Sequence, residues 1–384
     1  MYVLRAGLVL TVLIALAPAR LHAQKKSTSD SGYIPQVLPE GKQKKEKDRD
    51  TQAPPPSREL PASVAAETDR LTFEVAPLSA RGLLSQQTRE ALKSLLHSSR
   101  GTIVALRAFV AGSGDLRRVA ELTAEVFADK HQPLPVLSVV QVGGLPLTGA
   151  QLAIEATELD RRPVNPNGVA FLSGQSAPTM VQSLEKVKRA LRGAGLEPSD
   201  ALRVTCFVSS LDDEKSTHAL LSGNFPNAAV DFIQMQREPV TPPVECEAVA
   251  RLKTAPRESV NYLNPAGLDK SPYYSHLTLV SSPRLVITGT QLAFGGQESD
   301  IKLAFERLEK TLAAADARYA GLVSSHIYLT SSSMIPKLRA VRAGYYSKQQ
   351  PPTSTMLPFE GLPSLDATVG LEVIAVADSP STPR

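Results

Sequence analysis

The feature that most constrains the fold is a unit of strands and helices that occurs three times in the 384-residue chain. In each copy an apolar strand carries an aromatic residue near its end, and a later strand carries a glutamate at a similar spacing. Aligning the copies superposes the aromatic residues Phe109, Phe207 and Tyr328 and the glutamates Glu155, Glu247 and Glu372. Each copy is as long as a small domain and too long for one turn of a solenoid. The chain should therefore contain three similar domains, which we call the first, second and third repeats.

The pattern of apolar segments predicts a mixed α/β (α+β) fold for each repeat. The third repeat shows the most complete order, β-β-α-β-α-β-β. Its first two strands, at residues 276–280 and 284–289, have period-two character and are predicted to pair as a hairpin. In the second repeat the segment 211–226 is short, so the second helix should have only about two turns.

The N-terminus is predicted to be a targeting segment. Residues 1–23 resemble a signal peptide, because a basic residue precedes an apolar run that is too short to span a bilayer. Cleavage is expected near Ala23, with Ala19 as a second candidate, and a buried or membrane-surface helix is the alternative. Residues 24–66 are charged and proline-rich, which predicts a disordered tether, with a ligand-binding motif as the alternative. We expect a secreted or periplasmic protein without a stable membrane anchor.

Composition and motifs argue against several classes of function. The formal net charge of +4 comes from the leader and the tail, so the folded body is close to neutral and lacks the basic patch of a nucleic-acid-binding protein. No histidines or cysteines lie at metal-ligand spacing, and no phosphate-binding loop or nucleophile elbow occurs. We therefore expect no nucleic-acid partner, no metal and no cofactor, and we interpret His326 as a structural or solvent-facing residue.

The chain has two cysteines, Cys206 and Cys246, both in predicted strands of the second repeat. In an exported protein they could form a disulfide. Buried free thiols and reactive thiols are the alternatives. The sequence leaves the choice open, because a disulfide requires Cα atoms within about 7 Å of each other.

Several segments resemble blocks of a known family. In the second repeat these are FLSGQSAP, RGAGLEPSD, ALRVTCFVSSLDD and VECEAVA, and in the third they are VITGTQ, YLTSSS, GLPS and LEVIAVA. Together with GGLP and IEATEL in the first repeat, they are similar to the RidA family, also called YjgF or endoribonuclease L-PSP. The resemblance divides the body into residues 67–160, 161–256 and 268–380.

The resemblance implies a chorismate mutase-like fold, with two helices on one face of a sheet. Family members typically form homotrimers whose sheets meet in a central barrel, with ligand pockets between subunits. Three linked repeats therefore imply a pseudo-trimer within one chain, with sheets inside and helices outside, because each sheet needs a partner for its second apolar face. We expect a monomer with internal pseudo-threefold symmetry.

The resemblance also implies a set of site residues. Deaminases of the family hold the substrate carboxylate with an arginine in a P-x-R motif, and that arginine is replaced by Leu137, Ala228 and Ser354. Other pocket positions are kept in part, which implies ligand binding by Ser173, Gly174, Tyr273, Thr288 and Gly289 and makes Glu245 a catalytic candidate. A pocket between repeats would need a new cation, for which Arg339 is the candidate.

The missing arginines favour an exported, catalytically degenerate RidA-family protein, a pseudoenzyme that binds a small molecule such as a carboxylate or acts as a scaffold. The alternative is an active enamine or imine deaminase, similar to 2-iminobutanoate/2-iminopropanoate deaminases, or another small-metabolite hydrolase with a rewired pocket. An arginine or lysine that points into a cleft between repeats would favour the alternative. The three aligned glutamates are expected to pair inside the interface between repeats.

Overall fold

The computed structural model describes residues 59–212, 214–241 and 243–378. The predicted signal peptide and the tail up to residue 58 lie outside these ranges. The strands are β1 (Ser63–Glu67), β2 (Leu71–Val75), β3 (Gly101–Ala111), β4 (Val136–Val142), β5 (Leu152–Asp160), β6 (Val169–Ala177), β7 (Ala201–Val208), β8 (Ala229–Gln234), β9 (Val244–Arg251), β10 (Val260–Leu263), β11 (Leu277–Val280), β12 (Arg284–Thr288), β13 (Gln291–Phe294), β14 (Ala317–Leu329), β15 (Thr353–Pro358) and β16 (Ala367–Ala377). The helices are α1 (Leu84–Ser98), α2 (Leu116–Asp129), α3 (Met180–Gly193), α4 (Glu214–Asn224), α5 (Glu298–Ala314) and α6 (Ile335–Arg342). None of the helices in the described ranges is long and apolar enough to cross a membrane.

The helices are amphipathic, and α2, α3 and α5 begin at polar caps. In α3, Leu184, Val187 and Leu191 recur at helical spacing and are buried. The hydroxyl of Thr179 accepts a hydrogen bond from the amide of the third residue after it, which stabilises the first turn. The helix predicted to have two turns, α4, is longer than expected, with 11 residues, because its Leu221 extends the apolar core of the second repeat.

The described strands form three sheets, each centred on the strands of one repeat. The strand orders are β2-β5-β3-β4, β10-β11-β6-β9-β7-β8 and β1-β12-β16-β14-β15, with β13 also paired to β16. In each sheet the strand with the aromatic residue is antiparallel to the strand with the glutamate. The register places Arg107 opposite Glu155, Thr205 opposite Glu247 and His326 opposite Glu372. The predicted alignment of the three glutamates is therefore confirmed.

The outer strands differ from the prediction. The segments predicted to form a hairpin, β11 and β12, lie in different sheets, because β11 pairs with β6 whereas β12 pairs with β16 and β1. Period-two character identifies a strand but does not say with which strand it pairs. The pairing of an outer strand depends on how the repeats assemble. The pairing of β1 with β12 also shows that ordered structure begins before residue 66, where the predicted tail was placed to end.

The three sheets meet in the centre, and the helices lie outside. One central apolar cluster contains the aligned residues Phe109, Phe207 and Tyr328 together with Phe359. The ring centroids of Phe109 and Phe207 are 6.0 Å apart, and those of Phe207 and Phe359 are 5.6 Å apart. A second cluster likewise joins residues of all three sheets. The predicted pseudo-trimer within one chain is thus confirmed.

The two cysteines are joined by a disulfide. Cys206 on β7 lies opposite Cys246 on β9, with a Cα–Cα distance of 4.1 Å. Among the alternatives that the sequence left open, the bridge is the one found, because the register of two antiparallel strands brings the two sulfur atoms together.

Candidate ligand-binding site

The three aligned glutamates lie in a buried ionic layer and not in an open pocket. Arg107 lies 2.5 Å from a carboxylate oxygen of Glu155 and 2.8 Å from one of Glu247, and Nε2 of His326 lies 2.9 Å from Glu247. Burial alone would raise the pKa of Glu247, but the neighbouring His326 and Arg107 outweigh burial and hold this pKa well below its usual range. The cavity beside this layer has a volume of about 20 Å³, enough for roughly one water molecule. The contacts of Arg107 and His326 with Glu247 therefore join the second repeat to the first and the third, whereas Glu372 contacts His326 and Tyr328 of its own repeat.

A larger cavity, of about 320 Å³, lies between the second and third repeats. Small-molecule sites typically measure ~300–1,000 Å³. Its walls come from β6 and β9 of the second repeat, from α6 and β15 of the third repeat and from the segment between β10 and β11. Polar side chains that line it are Ser176, Glu245, Tyr273, Arg339, Arg342 and Ser354.

An irregularity in β6 sets the position of Glu245. The pairing of β6 with β9 shifts register between Leu172 and Gln175, which brings Gly174 against the Glu245 side chain. A Cβ atom at Gly174 would lie 1.8 Å from Oε1 of Glu245, so a larger residue there would displace the Glu245 carboxyl group. The hydroxyl of Ser176 donates a hydrogen bond to the same carboxyl group.

The environment of Glu245 changes its protonation. Burial raises the pKa of Glu245 to about 7, and the hydrogen bond from Ser176 opposes this only in part. A carboxyl group that titrates near neutral pH can both accept and donate a proton during a reaction.

Two arginines of α6 face the same cavity. Arg339 and Arg342 are three positions apart, which places them on one face of the helix. The side chain of Arg342 is buried; its Nη1 donates to the hydroxyl of Ser354 at 3.3 Å, and its Nη2 donates to the carbonyl of Tyr273 at 3.4 Å. Arg339 is exposed at the mouth, where its guanidinium carbon lies 4.5 Å from the ring centroid of Tyr273.

The charges of these two arginines are not balanced by a carboxylate of the described residues. Within residues 59–212, 214–241 and 243–378, neither Arg339 nor Arg342 has a carboxylate at salt-bridge distance. Burial lowers the pKa of Arg342 because it disfavours the charged form. A buried cation without a counter-ion costs free energy that an anionic ligand would recover.

The structure brings several of the predicted residues together in this cavity, namely Gly174, Glu245, Tyr273, Arg339 and Ser354. Ser173 lies beneath it. The Ser173 hydroxyl donates to the carbonyl of Ser275 at 2.6 Å and accepts from the amide of Ser354 at 2.9 Å, so it links two repeats. Arg342 is absent from the residues predicted from the sequence, although its helical spacing from Arg339 was an available signal.

The other predicted residues lie elsewhere. The hydroxyl of Thr288 accepts the amide hydrogen of Val373 at 3.1 Å, within its own sheet. Gly289 faces Leu137 of the first repeat, whose carbonyl oxygen would lie 3.1 Å from a Cβ atom at that glycine. Ala228 is half-buried beside the core of the second repeat. The positions of the missing arginine in the first and second repeats are therefore occupied by apolar side chains that contribute to packing.

The cavity between the second and third repeats thus combines two guanidinium groups with a carboxyl group that titrates near neutral pH. Guanidinium groups bind carboxylates through paired, charge-assisted hydrogen bonds. Among the described residues, no group of three or more His, Cys, Asp and Glu side chains is arranged to hold a metal ion. The arrangement suits the binding of a small carboxylate beside a group that can transfer a proton.

Comparisons with known proteins give consistent matches. The family model described as endoribonuclease L-PSP matches residues 272–377. A protein of Salmonella typhimurium named 2-iminobutanoate/2-iminopropanoate deaminase is 29% identical over 121 residues, which are 30% of this chain and 86% of that protein. A RutC family protein of Haemophilus influenzae is 31% identical over 122 residues, which are 30% of this chain and 85% of that protein. A solved structure of a Rid family protein of unknown function from Yersinia pestis is 19% identical with a TM-score of 0.28, and the match covers 31% of this chain and 99% of that one.

Proposed function

Because this chain belongs to the RidA (YjgF, RutC, endoribonuclease L-PSP) family, we propose that it binds a small carboxylate between its second and third repeats and hydrolyses 2-imino acids there. A relative named as a 2-iminobutanoate/2-iminopropanoate deaminase supports this class of substrate. The proposal favours a rewired pocket over a degenerate one.

The observation that carries the proposal is the position of Arg342. The resemblance to the family implies a carboxylate-binding arginine at the position of Ser354 on β15. Arg342 reaches this position from α6 and donates to the Ser354 hydroxyl. The guanidinium group that is missing from the strand is therefore replaced from the helix, and Arg339 adds a second one at the mouth.

In the proposed reaction the arginines bind the substrate first, and Glu245 then transfers protons. The substrate carboxylate binds Arg342 and Arg339, which orients the C=N bond toward Glu245. Ionised Glu245 accepts a proton from water while the water oxygen bonds to the imine carbon, and the proton then passes to the nitrogen. In the tetrahedral intermediate Glu245 then accepts the hydroxyl proton and passes it to the amino nitrogen. As the C–N bond breaks, ammonia leaves and the C–O bond becomes the carbonyl of a 2-oxo acid.

Binding without catalysis is the second candidate function. It is favoured by Leu137, Ala228 and Ser354, which leave all three interfaces without an arginine at the family position. In that case the remaining cavity would bind a carboxylate, and Glu245 would take no part in a reaction.

The test separates binding from catalysis. Isothermal titration with pyruvate, a stable analogue of 2-iminopropanoate, measures affinity, and the decay of 2-iminopropanoate formed in situ by an amino-acid oxidase measures hydrolysis. We expect Arg342→Met to weaken pyruvate binding by about 10- to 100-fold, the range for loss of hydrogen bonds to a charged group. Glu245→Gln should retain binding and lose hydrolysis.

Two further variants separate an effect on the cavity from a general effect on the protein. Arg318→Met is the control, because Arg318 is exposed in the same repeat and pairs with Asp378 at 2.9 Å. Arg339→Met removes the exposed cation of the cavity and so avoids the risk that loss of buried Arg342 prevents folding. Wild-type protein that neither binds pyruvate nor accelerates imine decay would refute the proposal, and binding without acceleration would support the second candidate.

We also propose that the protein is exported after cleavage near Ala23 and is a monomer. The bond between Cys206 and Cys246 supports export, because disulfides persist in oxidising compartments. The mutual covering of the three sheets supports a monomer. N-terminal sequencing of the mature protein and light scattering test the two statements, and a stable trimer of chains would contradict the second.

A further inference from the structure

The cavity between the second and third repeats adjoins a second chamber. This chamber has a volume of about 180 Å³, and it shares Gly174, Ser176 and Tyr274 with the first. Its other walls come from α3 and from the segment between β10 and β11. Because these residues line both chambers, the two chambers are adjacent, and a ligand that passes between these residues would occupy both.

Lys186 supplies a positive charge in the second chamber. It lies on α3, and its Nζ donates to the carbonyl of Ser176 at 2.7 Å, which holds the ammonium group beside the junction of the two chambers. In the described part of the chain it has no carboxylate at salt-bridge distance. An ammonium group has three hydrogens to donate, so two remain for a ligand.

The other titratable groups of this chamber are less suited to binding an anion. Nε2 of His276 lies 2.8 Å from the carbonyl of Asp269, and its Nδ1 lies 3.2 Å from the side-chain nitrogen of Gln175. Since the amide nitrogen donates and the carbonyl accepts, the ring is neutral and both of its nitrogens are occupied. The side chain of Asp269 is exposed, so water and salt screen its charge. Recognition of a charged group therefore falls to Lys186.

We infer that the ligand is a dicarboxylate, a 2-imino acid whose first carboxylate binds Arg339 and Arg342 and whose second carboxylate binds Lys186. This inference rests on the proposed function and narrows its substrate class. A monocarboxylate bound to the arginines would leave Lys186 without a counter-ion. A dicarboxylate would place one carboxylate beside the arginines and the other beside Lys186.

The test compares stable 2-oxo acids that differ in one charge. Isothermal titration of the wild-type protein with 2-oxoglutarate, with 2-oxopentanoate of the same chain length and with 2-oxoglutaramate, whose distal group is a neutral amide, measures the preference for a second carboxylate. We expect 2-oxoglutarate to bind on the order of 10-fold more tightly than either of the others, which corresponds to one charge-assisted contact. Lys186→Met should abolish this preference without weakening the binding of 2-oxopentanoate.

Lys188→Met is the matched control, because Lys188 lies on the same helix and contacts Glu185 and Asn224 instead of the chamber. The Lys188→Met variant should prefer 2-oxoglutarate over the two other acids by the same factor as the wild type. Equal affinities of the wild type for the three acids, or an unchanged preference in Lys186→Met, would overturn the inference while leaving the proposed function in place. If none of the acids binds, the proposed function fails and this inference fails with it.

Discussion

Replacement of Arg107 by methionine should strongly destabilise the contact between the first and second repeats. Arg107 is 6% exposed, and it contacts Glu155 of its own sheet and Glu247 of the next repeat. Methionine is long and apolar, so it fills much of the space of the lost side chain and adds little cavity cost. The main effect is the removal of positive charge from two buried carboxylates.

The expected loss in the free energy of unfolding is about 3–5 kcal/mol, the range for removing one partner of a buried ion pair. The matched control is Arg117→Met. Arg117 pairs with Asp115 at 3.2 Å, but both side chains are more than half exposed, and such pairs contribute roughly 0–1 kcal/mol. Urea unfolding of the wild type and of both variants, followed by circular dichroism, measures the difference.

The pH dependence gives a second readout with a defined sign. Burial opposes ionisation of Glu155 and Glu247, but the neighbouring cations outweigh it, so the pKa of each is lowered in the folded protein. A lowered pKa contributes stability above the unfolded value, about 4.3 for glutamate, and this contribution is lost as the pH falls through the folded value. Loss of Arg107 raises both pKa values, so the deficit of the variant should be largest at neutral pH and shrink on acidification. A deficit below about 1 kcal/mol, or one that grows on acidification, would refute this account of the ionic layer.

Two further predictions concern the catalytic carboxyl and the N-terminal strand. Burial raises the pKa of Glu245 to about 7. If Glu245 is the general base, the rate of imine hydrolysis should rise as the pH passes through this pKa, because only the ionised form accepts a proton. If the pH–rate profile of Glu245→Gln keeps this rise, the transition belongs to another group. Deletion of residues 1–58 should leave the melting temperature unchanged, whereas deletion of residues 1–70 should lower it. The longer deletion removes β1 and exposes the edge of β12. Equal melting temperatures of the two truncated proteins would show that β1 contributes nothing to stability.

The repeated parts of the fold were predictable from the sequence. Phe109, Phe207 and Tyr328 could be aligned because a strand places every second side chain on one face, and an aromatic residue at the same step of three strands marks the face that turns inward. The exchange of outer strands could not be predicted in this way. Both β11 and β12 look like ordinary strands, and their partners are chosen by edges that exist only after the three sheets meet.

The candidate site was predictable in part for a related reason. Glu245 and Gly174 lie in segments that resemble the family, so their positions could be inferred from the resemblance. Arg342 lies outside the segments whose resemblance to the family was recognised, and it is held in place by hydrogen bonds to Tyr273 and Ser354 from other segments. Only the assembled structure places this guanidinium group beside Ser354, the position at which the strand lacks the family arginine.

Covalent linkage of the three repeats removes a restriction that symmetry places on a trimer of identical chains. In such a trimer each substitution appears in all three interfaces, so a residue that improves one pocket must also be tolerated in the other two. In this chain Leu137 packs against Gly289 at one interface, while Arg342 lies beside Ser354 at another. Each interface can therefore change independently, and one can specialise in ligand binding while another is optimised for packing.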